Sequence, residues 1–100
     1  MSDKIIVKID SDLEEIIPMF IDNRHKDLKE LDEHLVSNDI QSIEVIAHKL
    51  AGNAGSYGFM DLSKVGASLE EACKEKNQED IKKYILEYKD FMKNLEVVFE

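Results

Sequence analysis

AHKLAGNAGSYG, residues 47–58, gathers three of the chain's four glycines beside a histidine and a lysine. Ile43, Ile46, Ala47, Leu50 and Ala54 recur through this stretch at i, i+3, i+4, i+7 and i+11, the spacing of one apolar helix face. A glycine inside a helix costs about 1 kcal/mol relative to alanine, so glycines gathered on a helix need a reason. At roughly 100° per residue, His48 lies about 140° from the centre of the apolar face and is expected to face water. Glu44, Gly52 and Gly55 fall on the same outward side. A glycine there leaves open space in front of the histidine, through which a second molecule can approach. Gly58 is expected to end the helix, since glycine commonly supplies the left-handed cap.

The rest of the chain repeats the helical pattern. Ser11–Glu14, SDLE, has the form of a capping box. Leu13, Ile16, Ile17, Phe20, Ile21, Leu28, Leu31 and Leu35 follow it at helical spacing, with Pro18 either kinking the helix or restarting it after a short first turn. This helix is expected to end near Leu35 or Val36, and Asn38 or Asp39 to cap the next. The glycine-bearing helix then runs from about Ile40 into Ala54–Tyr57. Phe59 and Met60 lead to Asp61, an expected cap for a third helix whose core face carries Leu62, Val65, Gly66, Leu69, Ala72 and Cys73. Gly66 lies on the buried side, where a glycine serves close helix contact. After a turn at Asn77 and Gln78, a fourth helix carries Ile81, Tyr84, Ile85, Tyr88, Met92, Leu95 and Phe99. Met1–Asp10 alternates Ile5, Val7 and Ile9 with Lys4, Ile6 and Lys8. It is expected to be an extended lead-in without a strand partner.

Four amphipathic helices with short connections predict an all-α, antiparallel, up-and-down four-helix bundle, formed as one domain over residues 1–100. The 100 residues carry a net charge of −9. That charge disfavours a nucleic-acid surface and an anionic membrane, and fits a cytoplasmic protein expected to be a monomer. Neither a membrane span nor a signal-peptide hydrophobic region is visible. Cys73 is the single cysteine, placed on a core face, so no intrachain disulfide is available.

Chemistry is sparse. The histidines are His25, His34 and His48. Asp22 and His25 alone approximate the spacing of a bundle metal site, and no metal is expected. Neither a phosphate-binding glycine loop nor a nucleophile–base arrangement can be argued, so the chain lacks the parts of a self-sufficient enzyme. What remains is an exposed imidazole with a substantial neutral fraction near pH 7. Its ring nitrogen can accept a phosphoryl group, with Lys49 as an adjacent cation and a partner protein supplying metal and further charge.

HKLAGNAGSYG, followed by GFMDLSKVGASLEEAC, resembles the histidine-containing phosphotransfer (HPt) domains of two-component phosphorelays, from about Asp10 onward. The motif of those domains reads roughly H-K-L-K-G-S with a glycine several residues later. His48, Lys49, Leu50, Gly52 and Gly58 match it. The resemblance implies a four-helix bundle that carries phosphate on His48 but has no ATP-dependent kinase activity. The implied partners are response-regulator receiver domains, hybrid sensor histidine kinases, or both. The protein would need no cofactor of its own, because the receiver's site supplies Mg²⁺. The docking face is expected to include Gln41, Glu44, Val45, Ala51, Gly52 and Gly55. Ala51 stands where the family commonly has lysine, and Asn53 where a small hydroxyl residue is usual. Loss of that cation bears on transfer rate and partner preference and places more weight on Lys49. The competing reading is an acidic helical bundle that binds a partner without being phosphorylated.

Overall fold

The computed structural model describes residues 4–100. The expected lead-in therefore falls partly outside the described residues, at Met1–Asp3. Strand β1 (Ile5–Ile9) is followed by a 3₁₀ turn (Ser11–Leu13). Then come α1 (Ile17–Val36), α2 (Ile40–Ser56), α3 (Met60–Lys74), α4 (Gln78–Asn94) and strand β2 (Leu95–Phe99).

The four-helix architecture is the expected one, and the contacts show its direction. Along α2 and α3, Gly55 faces Ser63 and Met60, while Ala47 faces Gly66. Phe20 near the start of α1 packs on Tyr57 just past the end of α2, with ring centroids 5.0 Å apart. Tyr88 late in α4 donates to Asp27 Oδ2 at 3.0 Å, and Gln78 at its start donates to Asn38 just past α1. Neighbouring helices thus run antiparallel. Leu31, Ile43, Leu50, Phe59, Leu62, Leu69, Ile81, Ile85 and Tyr88 are buried between them. Phe59 stacks on Phe20 at 4.9 Å.

The helix ends explain their own sequence. In α2 the Phe59 N–H donates to Ala54 O and the Gly58 N–H to Gly55 O, the paired bonds of a Schellman closure. Gly58 takes φ +93° to make this turn. Asp39 caps α2, accepting from the backbone and hydroxyl of Ser42, and these bonds hold its carboxyl below the usual carboxylate range.

Four expectations are corrected. SDLE is not a capping box: Asp10 accepts from the Asp12 N–H and a 3₁₀ turn forms. Pro18 supplies the reason. It has no N–H for the Glu14 carbonyl and its ring would clash there, so α1 begins at Ile17 with Pro18 in its first turn. Asp61 does not cap α3; Phe59 holds that position without a side-chain bond, and Asp61 lies in the first turn. There a carboxylate still complements the helix dipole. The fourth helix stops at Asn94, and Leu95 turns extended at ψ 131°. Finally, the lead-in does have a strand partner. β1 and β2 pair in parallel, Ile5 opposite Leu95 through Ile9 opposite Phe99. Ile5, Val7, Ile9, Leu95, Val97 and Phe99 all pack on the core, so the strands cover one end of the bundle.

Cys73 is only 2% exposed. Burial, with Glu44 and Glu70 nearby, pushes its thiol from 9.0 up to about 11. A raised folded pKa contributes stability that is complete below pH 9 and is lost as pH rises towards 11. The protein should therefore lose stability between pH 9 and 11, and Cys73→Ala should flatten that loss while lowering stability at pH 7. Urea melts at pH 8 and 10.5 on both proteins check this; equal slopes would reject it. Burial raises the Tyr88 phenol as well, so it adds to the loss above pH 10 in both proteins, and the difference between them isolates Cys73.

Candidate functional site

His48 projects from the middle of α2 with its side chain 75% exposed. It is exposed because α2 buries Ile43, Ala47, Leu50 and Ala54 on the opposite side. The ring is nevertheless held. Nδ1 lies 2.8 Å from Glu70 Oε2 on α3, and the Glu70 side chain is only 19% exposed. An ionised carboxylate can only accept, so in neutral His48 the proton sits on Nδ1 and the lone pair on Nε2. Glu70 thereby fixes both the ring's orientation and the nitrogen available to attack an electrophile. The same Oε2 lies 3.8 Å from Lys74 Nζ, one turn further along α3.

The helix contact beneath the site sets this geometry. A Cβ on Gly66 would stand 2.7 Å from the Ala51 backbone nitrogen and 3.1 Å from Ala47 O. Only glycine lets α3 approach α2 so closely. Ser63 Oγ donates to Ala51 O at 2.6 Å and pins the same contact. With Gly66 against Ala47 and Ala51, the next turn of α3 brings Glu70 beside His48.

A shallow groove holds His48 together with Gln41, Glu44, Val45 and Lys49 from α2 and Glu70 and Lys74 from α3. Gln41, Val45 and Lys49 are exposed, and Glu44 is half-buried. Gly52 is exposed, and a Cβ placed there would meet nothing within 4 Å. Two residues lie elsewhere than expected. Gly55 is half-buried, and its added Cβ would touch Ser63 Oγ at 3.5 Å and Met60 Sδ at 3.8 Å. Ala51 is half-buried with its backbone against Gly66 and Ser63. Both lean towards α3, which occupies the flank of α2 that a lone helical wheel leaves open. Asn53 borders a separate groove with Met19, Asn23 and Arg24 of α1.

Glu70 and Lys74 were invisible from spacing within α2. A signal existed in Gly66: a glycine on a buried face marks where two helices touch, and one turn beyond it is Glu70. Two other histidines lie apart from this arrangement. His25 is exposed on α1, and His34 is half-buried with Nδ1 4.0 Å from Asp39.

No helix among the described residues is long and apolar enough to cross a membrane. Comparison with curated proteins and with solved structures gives no significant match. A profile of the family described as Hpt domain matches residues 15–97, which include all four helices and every residue of the groove. Domains of this family serve histidine phosphotransfer in two-component systems, as phosphoryl carriers rather than kinases, and interact with receiver domains and histidine kinases. The helical bundle and the match over most of its length place this chain in the Hpt domain family.

Proposed function

We propose that His48 accepts a phosphoryl group from the aspartyl phosphate of a receiver domain and passes it to another receiver in a phosphorelay. One observation carries this reading: His48 is the imidazole whose ring is both exposed and oriented, its Nδ1 bonded to Glu70 and its Nε2 left to solvent. The Nε2 lone pair attacks phosphorus while the bond to the partner's aspartyl oxygen breaks. The electron pair leaves on that carboxylate. His48 keeps its Nδ1 proton, and the Glu70 carboxylate stabilises the cationic ring that forms. Mg²⁺ belongs to the receiver, and the protein itself brings no cofactor. Gln41, Glu44, Val45 and Gly52 form the docking surface around the ring. Ala51 and Gly55 lie beside that surface, on the flank of α2 that meets α3.

The test is incubation with a phosphorylated receiver domain and Mg²⁺. The protein should take up phosphate in an acid-labile, alkali-stable linkage, as a phosphoramidate does. Absence of transfer from every receiver, and from a small donor such as phosphoramidate, would leave the non-phosphorylated interaction module as the reading.

Lys49 provides a separable check. It follows His48 on α2, where its charge matters most as phosphate arrives. Lys49→Ala should cost about 1–2 kcal/mol of transition-state stabilisation, roughly five- to thirtyfold in single-turnover rate, with receiver affinity little changed. An unchanged rate with weakened binding would make Lys49 a docking residue only.

A further inference from the structure

We infer that Lys74 is a positioning residue which, by sharing the Glu70 carboxylate with His48, sets the protonation and phosphoryl-holding capacity of the imidazole. The inference rests on the reading of His48 as phosphoacceptor, but its first readout does not require phosphate.

The geometry is a chain of three groups. Glu70 Oε2 accepts from His48 Nδ1 at 2.8 Å and lies 3.8 Å from Lys74 Nζ. Lys74 is the last residue of α3, where the negative end of the helix dipole favours a cation. Its side chain is 55% exposed and borders the same groove as His48.

The charges facing His48 explain why such a cation matters. From α2 come Glu44 and Lys49, and from α3 Glu70 and Lys74. Two carboxylates face two ammonium groups, so the groove is balanced although the chain as a whole carries −9. The field of both carboxylates is felt locally, since Glu44 and Glu70 each help raise the buried Cys73 thiol. A phosphoryl group adds between one and two further negative charges at neutral pH. Without Lys74, it would face Glu44 and Glu70 with only Lys49 in compensation. Ala51, turned into the α3 contact, supplies no charge. Lys74 thus brings a second cation to the site from the neighbouring helix.

The sign of the effect follows. A carboxylate beside imidazole favours the protonated ring, and a cation disfavours it. Lys74 opposes Glu70 on both counts: it draws on the shared oxygen and repels the imidazolium. Removing its charge should favour the protonated ring over the neutral, nucleophilic one. It should also leave the phosphoryl group facing the Glu44 and Glu70 carboxylates with only Lys49 to offset them, and that repulsion shortens the lifetime of the phosphohistidine.

The experiment is an NMR titration of His48 in wild type, Lys74→Met, Lys74→Arg, Glu70→Gln and the Glu70→Gln/Lys74→Met double variant. Lys74→Met should move the midpoint upward, the direction expected when a cation leaves the shared carboxylate. Lys74→Arg should restore it. In the Glu70→Gln background the shift should fall below half, because the coupling runs through that carboxylate. The second readout is the half-life of phosphohistidine formed with phosphoramidate, which should be shorter in Lys74→Met and recover in Lys74→Arg. An unmoved midpoint in Lys74→Met overturns the inference, as does a shift of equal size in the Glu70→Gln background. Failure of wild type to take up phosphate would instead overturn the acceptor reading, while the titration would still report on Lys74.

Discussion

His48→Gln is expected to fold like the wild type and to accept no phosphate from any donor. Both halves of that expectation follow from position. The side chain is 75% exposed and packs on nothing in the core, so the substitution should change stability by no more than about 0.5 kcal/mol. Glu70 is not stranded by the loss of its partner, because Lys74 still lies 3.8 Å from the same oxygen. Glutamine has no nucleophilic ring nitrogen, so transfer should fall by the full assay range. A thermal melt and phosphate uptake from a phosphorylated receiver and from phosphoramidate measure the two halves. Undiminished uptake would move the acceptor to His25 or His34, neither of which lies in the groove. A collapsed melting temperature would show that the His48–Glu70 bond supports the fold.

The bundle and the outward placing of His48 were readable in the sequence because both are local. Apolar residues three and four apart define each helix face, and His48 is placed on the far side of its own helix by rotation alone. What escaped was set by distant parts of the chain. Leu95 and Phe99 lie four apart, which fits a helix, yet with Val97 between them they also alternate. Spacing by itself decides between these readings poorly. The deciding fact is a partner strand some ninety residues away, at Ile5–Ile9. Pro18 acted locally but its two outcomes were equally consistent with the pattern; the missing N–H chose the restart. Glu70 and Lys74 depended on the register between α2 and α3. Gly55 was misplaced for the same reason, since a wheel drawn for one helix shows no neighbour on its flank.

The two helical glycines nearest the site should respond oppositely to the same substitution. A Cβ on Gly52 meets nothing within 4 Å, whereas one on Gly66 would stand 2.7 Å from the Ala51 backbone nitrogen and 3.1 Å from the Ala51 Cα. Gly52→Ala should therefore stabilise by up to about 1 kcal/mol, through reduced freedom of the unfolded chain and better helix propensity. Gly66→Ala gains the same propensity but must push two helix backbones apart, and backbone cannot step aside as a side-chain tip can. Overpacking of this kind costs about 1–3 kcal/mol for small additions, and Gly66→Leu should reach the top of that range or beyond. For a domain of this size that lowers the melting temperature by about 10 °C or more. Function should divide along a different line. Gly52→Leu should keep its fold and its uptake from phosphoramidate, yet lose most transfer from a receiver, because leucine would stand one turn from His48 on the approach path. Gly66→Ala, where it remains folded, should weaken both donors together, since a displaced α3 carries Glu70 away from Nδ1. Melting curves and both uptake assays on the four variants decide the matter. If Gly52→Leu loses both donors equally, or Gly66→Leu melts like the wild type, open approach at Gly52 and close helix contact at Gly66 are assigned to the wrong residues.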